Sequence, residues 1–178
     1  MGGTFDPVHN AHLAMARAAL DKLKLEKVLF MPTGAPRYRK PAVASGEHRV
    51  AMLELALQGE PRYAIDAREL KASASGYTVD TLMELHGELG TELWLLIGAD
   101  QYAKLDSWHR PQEVRRLARI GVFARPGVAL DKAVEVIPMK AMDISASEVR
   151  ARIARGEAIA HLVPAAVANY IVGKRLYV

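Results

Sequence analysis

Apolar positions along the chain switch repeatedly between helical and strand-like spacing. Apolar residues three and four apart predict helices at 10–23, 78–89, 111–118, 145–155 and 165–172, with one more that Ser45 caps and Gly59 closes. Short continuous apolar runs predict strands at 28–31, 63–65, 93–97, 120–124 and 133–137. Alternating helices and buried strands favour an α/β fold, a single doubly wound Rossmann-like domain with a mostly parallel sheet.

In such sheets, ligands bind at the carboxyl ends of the strands, so the loops after strands are where the chemistry is expected. One of these loops, beginning at Gly2, has only Met1 before it. The sequence therefore predicts that the first strand of the sheet is missing or truncated, or that residues before Met1 belong to the native chain.

Length and composition restrict the class of protein. The chain has 178 residues, of which 51% are hydrophobic and 25% are charged, values typical of a globular domain. We therefore expect one domain over residues 1–178. The chain has no cysteine, which excludes thiol catalysis, zinc–thiolate sites and iron–sulfur clusters.

Charge and hydropathy restrict the kinds of partner that the protein is expected to bind. No apolar run approaches the ~18 residues of a membrane span and no signal-peptide pattern is present, so we expect a cytoplasmic protein without a membrane partner. The 24 basic and 20 acidic residues give a net charge of +4. This surplus fits either a solubility charge or an anionic ligand such as a nucleotide. It is spread along the chain without a stacking motif, which argues against a nucleic-acid partner.

The N-terminal loop, Gly2 to His12, carries the first candidate chemistry. The paired glycines allow the backbone to approach a phosphate closely. His9 and His12 are three residues apart and share one face at the start of a predicted helix, whose free amides favour anions. The plainer interpretation is a tight turn with a capping histidine. A zinc site is not expected, because no third ligand stands at useful spacing.

A second candidate anion site lies near the C-terminus, from Ile144 to Arg150. Ser145 and Glu148 form an S-x-x-E capping box, which leaves helix amides free for a ligand. Arg150 lies in the second turn, where its guanidinium can reach a phosphate. Taken alone, a capping box near an arginine is common.

Together the two segments resemble the nucleotidyltransferase superfamily with the T/H-x-G-H motif. The N-terminal loop is similar to the GGTFDPVH-x-x-H loop of the bacterial nicotinate-nucleotide adenylyltransferases, with Ala11 where glycine is commonest. The C-terminal segment matches the I-S-x-x-x-x-R motif, which binds triphosphate in that family. The resemblance spans essentially the whole chain except the first strand.

The resemblance implies adenylyl transfer from ATP to nicotinate mononucleotide, giving deamido-NAD and pyrophosphate. The 5′-phosphate is already an anionic nucleophile, so catalysis would consist of positioning and charge stabilisation. The catalytic residues implied are His9, His12 and Arg150. Magnesium would accompany ATP with mostly water and phosphate ligands. The ATP-binding residues implied are Gly2, Gly3, Thr4, Phe5, Gly98, Asp100, Ile144 and Ser145.

Further segments resemble the substrate side of that family. Tyr77 and Thr78 belong to a stretch similar to S-Y-T-V-D-T, where helix amides can hold the nicotinate carboxylate; an N-capping threonine is the plainer interpretation. Trp108 resembles a ring-stacking tryptophan, worth roughly 0.5–2 kcal/mol against a pyridinium, whereas Trp94 is expected in the core. The substrate-binding residues implied are Arg39, Lys40, Tyr77, Thr78, Trp108 and Arg125.

Some alternatives stay open. Arg39 and Lys40 lie in a loop that matches the family less well and also fits a solvated basic loop, and either could contact the substrate phosphate. The acceptor could be the amidated mononucleotide or phosphopantetheine. A catalytically dead nucleotide-binding module is the alternative outside the enzyme class, supported by the apparently missing strand. The chain is expected to be a monomer or a homodimer.

Overall fold

Six parallel strands form the centre of the described part of the protein. The computed structural model describes residues 1–34, 41–124, 134–140 and 142–178. In these ranges the strands form two three-stranded sheets, ordered β1-β2-β3 and β4-β5-β6, with every pairing parallel. The strands are β1 Gly2–Gly3, β2 Val28–Pro32, β3 Tyr63–Ile65, β4 Trp94–Gly98, β5 Arg119–Phe123 and β6 Glu135–Ile137.

Seven α-helices connect and flank these strands within the described ranges. They are α1 Asn10–Leu23, α2 Gly46–Leu57, α3 Thr78–Leu89, α4 Ala99–Tyr102, α5 Pro111–Leu117, α6 Ala146–Ala154 and α7 Ala165–Gly173. All six predicted helices are confirmed to within about two residues at each end. The short helix α4 and the 3₁₀ turns Arg68–Leu70 and Leu105–Ser107 were not predicted, because three or four residues do not establish a hydrophobic period.

The first strand is present but only two residues long, so a sheet without it, one of the predicted alternatives, is wrong. Gly2 and Gly3 pair in parallel with Met31 and Pro32 of β2. Pro32 is therefore the last residue of β2 and not the residue after it, and the next N–H, that of Thr33, donates to the Gly3 carbonyl. Two residues make a short ladder, and in the described structure β1 pairs with β2 alone. The glycine loop thus begins from a hydrogen-bonded strand.

Both faces of the second sheet are covered, as a doubly wound fold requires. Leu95 and Ile97 of β4 pack into one hydrophobic core with α3 and α5, while the intervening Leu96 packs into another core with α1, α2 and α7. Neighbouring residues of β5 divide in the same way, Val122 to the first of these cores and Phe123 to the second. The period of two along a strand is what sends alternate side chains to opposite faces.

The core that contains Leu96 also holds the first sheet, since Phe30 of β2 is one of its buried members. Helix α1 reaches the second sheet at Gly121 of β5, where a Cβ atom would lie 3.2 Å from Leu23 and 2.9 Å from Ile137. A larger residue at Gly121 would therefore separate α1 from the sheet. The candidate site lies at the carboxyl end of β1 and the start of α1.

Strand boundaries differ from the predictions by a residue or two. β4 begins and ends one residue later than predicted, and β5 one residue earlier. β6 covers the last three residues of its predicted range, and Ala133 lies outside the described residues. None of the helices in the described ranges is long and apolar enough to cross a membrane.

Candidate active site

The glycine loop leaves β1 and leads directly into helix α1. His9 is the N-cap of that helix, with extended backbone (φ −142°, ψ 169°). Phe5 adopts a left-handed backbone (φ 49°) and is buried. Its ring occupies the space above Gly3, where a Cβ atom would lie only 2.9 Å away. A residue with a Cβ atom at position 3 would therefore clash with the buried Phe5 ring.

The two histidines of the loop stack on one another. Their ring centroids are 3.7 Å apart at an interplanar angle of 19°, and the Phe5 ring meets His12 edge to face at 4.9 Å. His12 Nδ1 accepts a hydrogen bond of 3.2 Å from the backbone N–H of His9. Because Nδ1 is an acceptor, the neutral His12 ring carries its proton on Nε2. The ring thereby has a defined donor for an oxyanion.

Burial favours the uncharged form of both rings. It lowers the pKa of the His9 imidazole to about 4. Burial, followed by the repulsion of His9, also lowers the pKa of His12 well below its usual range. His9 Nδ1 is buried without a hydrogen-bond partner among the residues described. An anionic ligand beside these rings would favour their protonated forms, so the site is set to take up positive charge when phosphate arrives.

Asp6, in the same loop, ties together distant parts of the chain. Its buried carboxylate accepts hydrogen bonds from the N–H groups of Val43 (2.7 Å) and Ala44 (3.1 Å) and from the Tyr177 hydroxyl (2.8 Å). Its backbone carbonyl accepts one of 2.6 Å from the Arg150 guanidinium. Asp6 lies in the loop motif, but its role cannot be read from the sequence because its partners are remote along the chain.

Arg49 is a second residue that the sequence analysis missed. It lies on helix α2, only 4% exposed, and its guanidinium donates to the carbonyls of Thr4 (2.9 Å) and Thr33 (2.8 Å). These carbonyls follow β1 and β2, so Arg49 holds the carboxyl ends of the two strands together. A charged residue on the buried face of α2 was the available signal, since arginine is rarely buried without a specific partner.

The segment from Ile144 to Arg150 is confirmed as the capped start of a helix. Ser145 is the N-cap of α6, and its hydroxyl accepts from the N–H of Glu148 at 3.2 Å. The Glu148 carboxylate bonds to Arg152 (2.8 Å), so only the Ser145 half of the predicted capping box is seen. Arg150 points from this helix to Asp6 and joins the two sequence motifs across 144 residues.

Two of the predicted substrate-binding residues, Tyr77 and Thr78, lie at the start of helix α3. Tyr77, not Thr78, is the N-cap of α3, and Thr78 is its first helical residue. The interpretation of Thr78 as an ordinary N-cap is therefore wrong. The Tyr77 ring lies 4.3 Å from the ring of His109 at an interplanar angle of 31°. His109, which is exposed, had no predicted role, and its place directly after Trp108 was the only signal.

The residues after β4 lie at the carboxyl end of the second sheet. Gly98 ends β4 and is the N-cap of α4, and the space where its Cβ would lie is open. Asp100 follows in the first turn of α4 and is exposed. Trp108 is partly buried against the same core as Tyr77. Trp94, at the start of β4, packs against the other core under the Arg119 guanidinium (4.3 Å), in keeping with a structural role.

Three predicted substrate residues, Arg39, Lys40 and Arg125, lie outside the described residues. In the ranges that the structure does describe, no group of three or more His, Cys, Asp and Glu side chains is arranged to hold a metal ion. Of the predicted phosphate residues, His9 and His12 stack on one another, and Arg150 is hydrogen-bonded to Asp6, three residues before His9.

Comparisons with known proteins agree with this arrangement. The model of the cytidylyltransferase-like family matches residues 1–152. A probable nicotinate-nucleotide adenylyltransferase of Laribacter hongkongensis is 43% identical, over 99% of this chain and 92% of its own. A protein of the same description from Bordetella petrii is 41% identical, over 99% of this chain and 96% of its own.

A solved structure, Plasmodium falciparum nicotinic acid mononucleotide adenylyltransferase complexed with NaAD, shares the fold. Its TM-score is 0.77 at 18% identity, over 99% of this chain and 94% of that one. The sequence relatives are far more similar, and they cover nearly the whole chain. The chain therefore belongs to the cytidylyltransferase-like family and, within it, to the nicotinate-nucleotide adenylyltransferases.

Proposed function

We propose that this protein transfers the adenylyl group of ATP to nicotinate mononucleotide, releasing pyrophosphate and forming deamido-NAD, a step of NAD biosynthesis. A 5′-phosphate oxygen of the mononucleotide forms a bond to the α-phosphorus of ATP, and the bond from that phosphorus to the bridging oxygen breaks. Pyrophosphate leaves with its electron pair, so the enzyme needs no covalent intermediate. The names of the relatives supply the reaction, and the site geometry supports it.

The observation that carries the proposal is the hydrogen bond from Arg150 to the Asp6 carbonyl. It brings the start of α6, with its capping Ser145, to the loop that begins α1. In this proposal the triphosphate binds near the N-termini of α1 and α6 and the Arg150 guanidinium, because helix N-termini and arginine both favour bound phosphate. In this proposal Arg150 and the α6 amides bind the β- and γ-phosphates.

The histidines act at the transferred phosphate. His12 Nε2–H, fixed as a donor by the bond at Nδ1, contacts an oxygen of the α-phosphate. Charge grows on the phosphates as pyrophosphate departs, and a buried donor aimed at that charge stabilises the transition state more than the ground state. His9, stacked on His12, supports its ring and contacts a neighbouring phosphate.

Magnesium enters with ATP in this proposal. Mg²⁺ commonly keeps water and phosphate ligands, so the ATP phosphates would supply much of its coordination. Bound there, it would neutralise phosphate charge. Asp100 remains the candidate residue for a ribose hydroxyl or for a water on that ion.

The pyridine ring is placed by the aromatic residues near α3. In this proposal the rings of Trp108 and Tyr77 contact the pyridine ring, and the N–H groups at the start of α3 beside Thr78 donate to its carboxylate. A neutral carboxamide gains less from those donors, which favours the acid over the amide. Arg39, Lys40 and Arg125 remain proposed contacts of the substrate phosphate and nucleotide.

The direct test is to identify the products. Purified protein with ATP, Mg²⁺ and nicotinate mononucleotide is expected to release pyrophosphate and deamido-NAD in a ratio of one to one. Pyrophosphate without dinucleotide, or no reaction while ATP still binds, would contradict the proposal. The dead-module alternative rested on a missing strand, and β1 is present and paired. The cytoplasmic location, the single domain over residues 1–178 and the oligomeric state remain predictions.

A further inference from the structure

The C-terminal tyrosine Tyr177 reaches into the phosphate site without belonging to either motif. It is partly buried and adopts a left-handed backbone (φ 66°), a conformation that a tyrosine rarely takes without tertiary support. Its hydroxyl donates to Oδ1 of Asp6 at 2.8 Å. Burial first, and then the Asp6 carboxylate, raises its pKa, so the hydroxyl stays a donor throughout the working pH range.

The same Asp6 orients the guanidinium of Arg150. Arg150 donates to the Asp6 carbonyl at 2.6 Å and lies 3.8 Å from its Oδ2 atom. A carboxylate fixed by Tyr177 on one oxygen and by the Val43 N–H on the other cannot turn, so the residue that receives Arg150 is itself held. The chain of contacts runs from Tyr177 through Asp6 to Arg150.

We propose that Tyr177 is a positioning residue for the triphosphate site, acting through Asp6 to hold Arg150 in place. The inference rests on the proposed function for the identity of the ligand. It predicts that the Tyr177 hydroxyl affects ATP and turnover but leaves the mononucleotide unaffected, since Asp6 and Arg150 belong to the ATP side of the site.

Tyr170 provides a matched control. It is also a partly buried tyrosine near the C-terminus, and its hydroxyl is hydrogen-bonded at 2.9 Å to His48 of α2. Tyr170→Phe and Tyr177→Phe therefore each remove one hydroxyl and one bond that anchors the C-terminal segment. Only the second bond leads to Asp6.

The experiment measures kcat, both KM values and the affinity for Mg–ATP by calorimetry for the two variants. It then repeats the Mg–ATP affinity in an Arg150→Ala background. Tyr177→Phe is expected to weaken Mg–ATP binding and lower kcat, each by roughly 5- to 10-fold, with the mononucleotide KM unchanged. Tyr170→Phe is expected to change each value less than about twofold, as is Tyr177→Phe once Arg150 is gone.

Equal effects of the two tyrosine variants, or an equal effect of Tyr177→Phe with and without Arg150, would overturn the inference and leave Tyr177 a structural anchor. The affinity measurements need no turnover. If the unaltered protein binds Mg–ATP but makes no dinucleotide, the proposed function is wrong, and the binding cycle still decides the role of Tyr177.

Discussion

The glycine loop and the aromatic residues near α3 are built in different ways. In the loop, Asp6 and His9 are 3% and 6% exposed, and Arg49 beneath it is 4% exposed. Hydrogen bonds tie Asp6 and Arg49 to backbone and side-chain groups from both ends of the chain. The loop therefore begins the reaction cycle with its polar groups already in place.

The aromatic residues are less buried. Tyr77 and Trp108 are partly buried against the core that also contains α3 and α5, and the Tyr77 ring packs against the ring of the exposed His109. Ring faces tolerate small shifts that a hydrogen bond does not. The difference suggests a division of labour in which the buried loop stabilises developing charge and the aromatic residues select the substrate.

The largest expected effect comes from removing the donor at the transferred phosphate. His12→Ala should lower kcat by roughly 100-fold or more, because one buried donor to a developing oxyanion is typically worth that much. The mononucleotide KM should change little. Steady-state kinetics with each substrate varied in turn measures both values.

The matched control for that variant is His86→Ala, an exposed histidine on α3. It should retain full turnover. If His12→Ala raised the mononucleotide KM as much as it lowered kcat, the loop would be a binding element and the division of labour would be wrong.

The second effect is on stability and tests how firmly the loop is built. Asp6→Ala should lower the free energy of unfolding by roughly 3–5 kcal/mol, because it leaves several donors, among them the buried Ala44 N–H, without their acceptor. Asp106→Ala removes a surface carboxylate that is 85% exposed and paired with Arg115, and should cost far less. Urea unfolding measures the loss of stability in both variants. Losses of similar size would contradict the role of Asp6 in tying distant parts of the chain together.

The third effect follows from the buried His9. Its pKa of about 4 lies below the ordinary value of 6.5, so between these values the unfolded chain binds the proton more readily than the folded one. The contribution of His9 to the free energy of unfolding should therefore be fully present above pH 6.5. It should fall as the pH drops towards 4, by at most roughly 3 kcal/mol. Urea unfolding at pH 7 and pH 4.5 gives the slope. His9→Asn should flatten it, while an unchanged slope would show that His9 is not buried uncharged.

The smallest effect belongs to the aromatic residues. Trp108→Ala should raise the mononucleotide KM about tenfold with kcat nearly unchanged, in line with the ~0.5–2 kcal/mol of a ring–cation contact. The chain has two tryptophans, so Trp94→Phe leaves Trp108 as the single source of tryptophan fluorescence. Nicotinate mononucleotide should quench that fluorescence on titration. An undisturbed spectrum at saturating substrate would remove Trp108 from the site.

Much of the fold could be predicted because its signals are local. Helix α3 begins at Thr78 and ends at Leu89 as predicted, since an apolar face and a closing Gly90 with φ +59° mark it within a few residues. Strand β1 could not be predicted, because two glycines carry no hydrophobic pattern. Only their pairing with β2 makes them a strand.

The site shows the same limit. His9, His12 and Arg150 could be chosen because each belongs to a short motif. Asp6, Arg49 and Tyr177 could not be given roles, because their partners lie 16 to 171 residues away in sequence. Motifs therefore indicate which groups meet the ligand, and the folded chain shows which groups hold them.

The most direct test of the account is a comparison of acid and amide mononucleotides in one pyrophosphate-release assay with ATP and Mg²⁺. We expect kcat/KM to favour the acid by at least about tenfold, the value of one charge-assisted hydrogen bond. Equal use of the two would contradict the carboxylate contact at the start of α3. Release with neither, at ATP concentrations that saturate the protein, would contradict the proposed reaction itself.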